Sequence, residues 1–295
     1  MGLAPVFLGK AAALKDPVEQ LKLATCWFIS HQITFIEMEK PFNPILGETF
    51  QGWIHGCPIY MEQISHHPPI HSLLMLGEGW KIESTLEATI QLKLNSGAGT
   101  FVGNTVVKFL ESGTEVTIRG NSGELSGLTF GTRKFNFVGA TRVFDRRNRL
   151  ALFIRHNPDE KGFFSWGKQK TPEDYLQGNI VRAKQSYFSA LDQNYNIGAP
   201  EEADIDEILG EMTGEWPTYL KFDKTMYYEV DKEVPYALDY EKYPLPSDCN
   251  YREDVIYRRL RDTVRSQQEK ERLEEIQRGD RKLRAAHGPP KSIDF

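Results

Sequence analysis

A long series of short strand-like runs, separated by turn residues at close intervals, restricts the fold of this chain more than any other feature. The runs lie between residues 50 and 157, with turn clusters such as residues 95–97 and 121–123 between them. From residue 85 to 94, polar and apolar residues alternate, so one face of that strand is polar and the other apolar. The pattern predicts an antiparallel meander, and a long meander can close into a barrel, which removes its exposed edges.

The remaining segments complete a single predicted domain over residues 1–295. Barrel strands are expected within residues 40–195, with individual runs at residues 50–55, 59–65, 70–76, 82–94, 105–110, 115–119, 135–144 and 150–156. A short segment, residues 1–15, comes first, and an irregular or mixed region is expected at residues 196–250. The expected fold class is mixed and β-dominated: a large, nearly closed antiparallel β-barrel with flanking helices and a long C-terminal helix.

Helical periodicity marks two segments. Residues 16–30 repeat apolar side chains at helical spacing, with Asp16 at the N-cap and Pro17 at the first helical position. Residues 252–286 lack proline and contain 11 Lys or Arg and 8 Asp or Glu, so much of this predicted helix faces water and nucleic-acid binding is not expected. The sparse apolar stripe that should touch the body consists of Val255, Leu260, Val264, Leu273 and Ile276.

Composition narrows the classes of function. Hydrophobic residues at 40% and charged residues at 26% are typical of a globular protein. No apolar run approaches the roughly 18 residues that span a bilayer, and the N-terminus lacks a secretory signal, so we expect a cytoplasmic protein. The three widely spaced cysteines favour neither a disulfide framework nor a zinc site. Because the net charge is −5, an anionic ligand would need a local cluster of positive charge.

The chain ends carry no recognisable lipidation signal. Val6 occupies the position where a myristoylation signal has Ser or Thr, and residues 292–295 contain no cysteine for prenylation. Any membrane association is therefore expected to be peripheral, transient and reversible.

The loop at residues 39–48 is a first candidate site. Its two prolines fix φ and its glycine permits an unusual φ, which would hold the backbone amides of Phe42 and Asn43 in a preset direction. Lys40 could add a point charge for a phosphate oxygen. A Pro-rich structural turn is the alternative interpretation.

Two adjacent histidines form a second candidate site. Consecutive strand residues point to opposite faces, so His66 and His67 can converge on one ligand only where their strand ends, and the two prolines that follow end it. Imidazoles there could donate hydrogen bonds to a phosphate. Two alternatives remain: turn histidines satisfied by backbone and water, or a metal site that would also use Glu62 and His71.

A third candidate lies on the C-terminal helix. Lys270, Glu274 and Arg278 are spaced i, i+4, i+8 and share nearly one face. They could form a solvated salt-bridge stripe. The same geometry also offers cations for phosphates and a carboxylate for sugar hydroxyls, as an inositol phosphate requires.

The motifs KPFNPILGETF and EQISHHPP together resemble the signature of the oxysterol-binding-protein-related family, whose fingerprint usually reads EQVSHHPP, with Val in place of Ile64. The resemblance extends from about Asp16 to about Arg284 and includes the helical pattern K-x-x-x-E-x-x-x-R. It implies a nearly complete β-barrel around a lipid tunnel, with a site at its mouth for phosphatidylinositol 4-phosphate.

By the same resemblance, the phosphoinositide-binding residues are expected to be Lys40, Phe42, Asn43, His66, His67, Lys270, Glu274 and Arg278. His66 and His67 would grip the 4-phosphate, and Lys40 and the backbone of Phe42 and Asn43 would lie along the headgroup. On the C-terminal helix, Lys270 and Arg278 would add phosphate contacts and Glu274 would meet inositol hydroxyls. Family members usually begin with an N-terminal lid. Only about 15 residues precede the first predicted helix here, so the lid is expected to be absent or much reduced.

The predicted function is a cytosolic lipid-transfer protein that binds phosphatidylinositol 4-phosphate and could exchange it between membranes for a sterol or another lipid such as phosphatidylserine. A phosphoinositide sensor or scaffold that carries no lipid is the alternative. No enzymatic activity, cofactor or metal is expected, because the sequence shows no nucleophile elbow and no matched acid/base pair.

Overall fold

The computed structural model of the chain describes residues 1–36, 42–157, 172 and 174–287. The helices are α1 (Ala4–Ala12), α2 (Pro17–His31), α3 (Gln185–Gln193), α4 (Glu253–Arg259) and α5 (Thr263–His287). The strands are β1 (Thr49–Ile54), β2 (Cys57–His66), β3 (Pro69–Gly77), β4 (Trp80–Leu92), β5 (Ser96–Phe109), β6 (Glu115–Arg119), β7 (Ser122–Ser126), β8 (Lys134–Val138), β9 (Ala140–Asp145), β10 (Leu150–His156), β11 (Tyr175–Ala183), β12 (Ile205–Glu215), β13 (Tyr219–Phe222), β14 (Thr225–Glu229) and β15 (Leu238–Tyr240). Short 3-10 helices occupy Gln32–Ile36, Glu202–Asp204 and Cys249–Tyr251.

One large antiparallel sheet contains all of these strands. Its order is β14-β13-β12-β11-β10-β9-β6-β5-β4-β3-β2-β1-β15, and β7 and β8 branch from β5. Neighbouring strands in the order are mostly neighbours in sequence, as a meander predicts. No ladder among the described residues joins β14 to β15, so the sheet is open and the predicted near-closure into a barrel is not confirmed.

The core lies between one face of the sheet and helices α1 and α2. Asp16 caps α2 as predicted, because its carboxylate accepts the Val18 amide at 2.9 Å. From Gln20 to Trp27 every residue of α2 is buried, which requires protein on all sides of the helix. The outer strand β14 reaches α2 through the Tyr227 hydroxyl, which donates to Glu19 at 2.8 Å.

Four segments differ from the sequence-based expectation. Residues 1–15 contain α1, whose buried residues Ala4, Phe7, Leu8 and Ala11 pack into the core. The predicted strand at residues 135–144 is two strands, β8 and β9, because Gly139 has φ +84° between them. The region at residues 196–250 contains four strands, β12 to β15. The segment at residues 105–110 is the end of the much longer β5.

The predicted helix at residues 252–286 is interrupted. It consists of α4 and α5, and Arg261 between them has φ 62°, which a continuous right-handed helix cannot contain. Leu273 of the predicted apolar stripe is buried, but Leu260, Val264 and Ile276 are exposed. Helix α5 instead buries Ser266, Leu273 and Gln277, so part of its contact with the body is polar. No helix among the described residues has the length and apolar character needed to cross a bilayer.

We predict that Leu21→Ala in α2 lowers the free energy of unfolding by about 2–5 kcal/mol, because it leaves a cavity in the core. The matched change Leu260→Ala should cost less than about 0.5 kcal/mol, since that leucine is exposed. Urea unfolding monitored by circular dichroism measures both. Equal losses would contradict the placement of the core.

Candidate functional site

The register of the first strands brings two of the three predicted motifs to one edge of the sheet. Thr49 at the start of β1 lies opposite Glu62, close to the end of β2 at His66. The loop at residues 42–48 enters β1 at this edge. The Gly47 amide donates to the Gln63 carbonyl at 2.8 Å, so the loop continues the pairing between β1 and β2.

A pocket of about 450 Å³ opens at this edge. Its lining comes from the loop, from the end of β2 and from the C-terminal helices: Phe42, Asn43, Pro44, Ile45, His66, Arg252, Lys270, Glu274, Gln277 and Arg278. Six of the predicted site residues therefore line one pocket: Phe42, Asn43, His66, Lys270, Glu274 and Arg278. His67 does not line the pocket, and Lys40 lies outside the described residues.

A buried ion cluster fixes the loop against the segment that precedes α4. The Arg252 guanidinium donates to the Asn43 carbonyl at 2.9 Å and to the Glu48 carboxylate at 2.7 Å. It also makes two contacts with Asp254, at 2.5 and 3.0 Å. The Ile45 amide donates to Glu48 at 2.8 Å. Arg252 is thus committed to protein partners, and its role is to position the loop.

Helix α5 supplies the other wall of the pocket. The Lys270 ammonium lies 3.3 Å from the Glu274 carboxylate and 5.4 Å from the centre of the Phe42 ring. Arg278 pairs with Glu275 at 2.6 Å on the same helix, and about half of its side chain is exposed. Both cations therefore have exposed or half-exposed carboxylate partners, and pairs of this kind contribute little to stability and exchange readily.

Gln277 controls the orientation of His66. Its side-chain amide lies 2.7 Å from His66 Nδ1 and is almost fully buried. With the amide nitrogen as donor, Nδ1 accepts, so the ring proton is on Nε2. Burial lowers the pKa of His66 below its ordinary value, and the charge of the neighbouring His67 lowers it further. The neutral imidazole is therefore favoured and presents an N–H donor.

His67 is placed differently. Its ring centre lies 4.1 Å from that of His66, with a tilt of 55° between the rings, and its side chain is exposed. The described residues contain no cluster of three or more His, Cys, Asp or Glu side chains with the geometry of a metal site.

Sequence reasoning missed Arg252 and Gln277. Gln277 extends the spacing of Lys270 and Glu274 to i, i+4, i+7, and that helical signal could have identified it. Arg252 stands outside any periodic pattern, because it acts through neighbours that are distant in sequence.

A second polar feature lies inside the core. The Gln32 amide donates to Asn121 at 3.0 Å, Asn121 contacts His156 at 3.2 Å, and His156 contacts the Thr141 hydroxyl at 3.0 Å. Burial lowers the pKa of His156 to about 3. Gln32 Oε1 and Trp27 Nε1 are buried and have no hydrogen-bond partner within the described part of the chain. Such atoms can bind a polar group of a ligand.

Comparisons with known proteins agree on one family. A family model described as oxysterol-binding protein matches residues 5–294. Oxysterol-binding protein 9 of Dictyostelium discoideum is 29% identical over 289 residues, which cover 96% of this chain and 65% of that protein. The chain thus spans just under two thirds of that relative.

Two solved structures share the fold. The Osh1 ORD domain in complex with ergosterol superposes with a TM-score of 0.74 at 16% identity, covering 100% of this chain and 74% of that chain. The Osh3 ORD in complex with PI(4)P from Saccharomyces cerevisiae has a TM-score of 0.70 at 19% identity, covering 94% of this chain and 73% of that chain.

We predict that Arg252→Ala lowers the free energy of unfolding by about 3–5 kcal/mol, because it leaves Glu48 and Asp254 buried without their cation. Arg265→Ala on α5 removes an exposed ion pair and should leave stability nearly unchanged. Urea unfolding of both variants measures the difference. A small loss for Arg252→Ala would show that the cluster does not hold the loop.

We also predict that stability falls as the pH is lowered. The folded-state pKa of His156, about 3, lies below the ordinary 6.5, so its contribution is complete above about pH 6.5 and is lost as the pH falls toward 3. One such histidine changes the free energy of unfolding by at most about 1.4 kcal/mol per pH unit. His156→Gln should reduce the slope, and His31, whose pKa burial also lowers to about 3, should supply part of what remains. An unchanged slope would contradict this assignment.

Proposed function

Because the chain belongs to the oxysterol-binding protein family, we propose that it is a lipid-transfer protein that holds phosphatidylinositol 4-phosphate by its headgroup in the edge pocket. The observation that carries the proposal is the convergence of three distant stretches of sequence on that pocket. Together they supply cations, a neutral N–H donor and one carboxylate.

The cations suit a phosphate monoester. Lys270 and Arg278 can form charge-assisted hydrogen bonds with its oxygens, and His66 can donate through Nε2. The chain as a whole carries −5, so attraction of the phosphate depends on these local charges. The dianion would exchange places with Glu275 as the partner of Arg278, at little cost because that pair is exposed.

The carboxylate suits the inositol ring. Glu274 is an acceptor within a cationic pocket, so it favours ligands that also donate hydrogen bonds, as inositol hydroxyls do. It disfavours ligands that are phosphate throughout. The pocket volume of about 450 Å³ lies in the usual range for small-ligand sites, and the headgroup is a ligand of that class.

Two further residues complete the proposed headgroup site. His67 lies beside His66, and its exposed side chain would reorient toward the 4-phosphate. Lys40 lies outside the described residues, and its proposed phosphate contact rests on its place two residues before Phe42 in the family motif.

The acyl chains require an apolar space, and we propose that they lie against the face of the sheet that a barrel around a lipid tunnel would enclose. The second lipid is proposed to be a sterol. Its single hydroxyl could pair with Trp27 Nε1 or Gln32 Oε1, which have no partner among the described residues, and the Osh1 ORD domain of the same fold was solved with ergosterol. Phosphatidylserine, which carries a charged headgroup, fits these two neutral atoms less well.

Transfer implies action from the cytosol with transient membrane contact. The proposal assigns no catalytic step to the pocket, which offers binding groups but no activated nucleophile among its lining residues.

The pocket proposal predicts that Lys270→Ala weakens binding of short-chain phosphatidylinositol 4-phosphate by about 10- to 100-fold, because a charge-assisted hydrogen bond is lost. Lys282→Ala removes an exposed lysine of the same helix that does not line the pocket, and should leave affinity unchanged. Calorimetric titration measures both, and phosphatidylinositol without the 4-phosphate is the ligand control. Equal affinities for the two lipids would refute the headgroup site.

A liposome assay then separates a carrier from a sensor. The chain should extract phosphatidylinositol 4-phosphate into the soluble fraction, and the double change His66→Ala and His67→Ala should abolish extraction. Stable membrane binding with no lipid recovered in solution would instead favour a sensor or scaffold.

A further inference from the structure

Two turns project past the pocket at the same edge of the sheet. The last residue pair between β3 and β4 is Ile70 with Glu87, next to the turn that carries the histidines. Strand β4 continues to Leu92, five residues or about 17 Å further along the strand. The β7–β8 turn reaches the same end, because Ser126 at the end of β7 pairs with Ser96 at the start of β5.

Asn95 joins the two turns into one unit. Its side-chain oxygen accepts the amides of Thr129 and Phe130 at 2.9 and 3.1 Å, and its carbonyl accepts the Leu128 amide at 3.2 Å. The Thr129 hydroxyl donates to the Leu94 carbonyl at 3.1 Å. We call this unit, residues 90–95 and 128–134, the projecting edge. Because these hydrogen bonds hold the two turns together, the side chains of both turns belong to one surface.

Large apolar side chains on the projecting edge are exposed. The exposed fractions are 72% for Ile90, 78% for Leu92, 83% for Leu94 and 65% for Phe130. The register explains part of this, because Ile90 and Leu92 pair with glycines on β5, which have no side chains to cover them. Single exposed apolar residues are ordinary, but four on the end of β4 and the two turns beside it mark an interaction surface.

The charge of the projecting edge is uniformly positive. Residues 88–102 and 126–134 contain Lys93, Arg133 and Lys134 and no acidic residue, although the whole chain carries −5. Neither Lys93 nor Arg133 has an ion-pair partner within the described ranges, so both are available to an anionic surface. Aliphatic and aromatic side chains beside Lys and Arg are typical of protein surfaces that enter the headgroup region of a bilayer.

We propose that the projecting edge is the membrane-docking surface, and that its partner is a bilayer leaflet that carries anionic lipids. The inference rests on the proposed function, since docking here would bring the headgroup pocket to the same leaflet. The partner is an anionic bilayer and not a protein groove, because the exposed apolar groups have basic neighbours and no acidic ones. Leu94 and Phe130 would enter the hydrocarbon boundary while Lys93 and Arg133 meet lipid phosphates.

The test is sedimentation with phosphatidylcholine vesicles that contain phosphatidylglycerol and no phosphoinositide. Leu94→Asp and Phe130→Asp should each weaken vesicle binding at least about tenfold, because an apolar side chain no longer leaves water. Lys93→Glu should weaken it more than fivefold, since one basic residue contributes about fivefold near an anionic surface, and wild-type binding should fall with salt. The control Leu110→Asp changes a leucine that is 62% exposed next to β5 at the opposite edge, and should bind as wild type.

A parallel titration with short-chain phosphatidylinositol 4-phosphate in solution separates this inference from the proposed function. The docking variants should keep wild-type affinity for the soluble lipid. If the wild type binds vesicles but does not bind the soluble lipid, the proposed headgroup pocket is refuted and the docking proposal is not affected. The docking proposal would be overturned if the wild type did not bind vesicles, or if the docking variants bound them as well as the wild type. It would also be overturned if Leu110→Asp lost as much vesicle binding as they do, or if this surface proved to form a dimer.

Discussion

The buried cluster around Arg252 is the interaction on which the site depends. It joins the loop at residues 42–48 to the start of α4 through Asn43, Glu48 and Asp254, across more than two hundred residues of sequence. Charges that are buried this well stabilise a fold only when every partner is present, and they then specify one arrangement. Here the arrangement sets the distance between the loop and α5, which is the width of the pocket.

The sequence predicts much of the sheet because antiparallel strands joined by short turns leave a local signal in alternation and turn residues. It also predicts most of the pocket lining, because the family motifs carry Phe42, Asn43, His66, Lys270, Glu274 and Arg278. Three kinds of feature escaped prediction. Helix α1 is short and is held by the core, the break at Arg261 depends on one backbone angle, and the contact between Gln277 and His66 depends on tertiary packing. The break and the tertiary contact have no pattern of their own in the sequence, whereas α1 has one, because its buried residues Ala4, Phe7, Leu8 and Ala11 recur at helical spacing.

The two pocket cations, Lys270 and Arg278, are each paired with a carboxylate of the same helix. Lys270 lies 3.3 Å from Glu274, and Arg278 lies 2.6 Å from Glu275. A weak anion gains little by displacing these carboxylates, while a phosphate dianion forms stronger charge-assisted bonds. Selection for phosphate would therefore come from competition within the helix as well as from direct contact.

The main strand order of the sheet ends at β14 and at β15, and the form of these two strands bears on the tendency of the chain to aggregate. Strand β15 is only three residues long, and Pro235 and Pro244 stand on either side of it, so it offers a neighbouring molecule few free amides. Strand β14, at the other end, is five residues long and carries a register shift in its pairing with β13, which interrupts a regular ladder. Both rims are thus poor templates for intermolecular strand addition, and a large sheet can remain open without promoting aggregation.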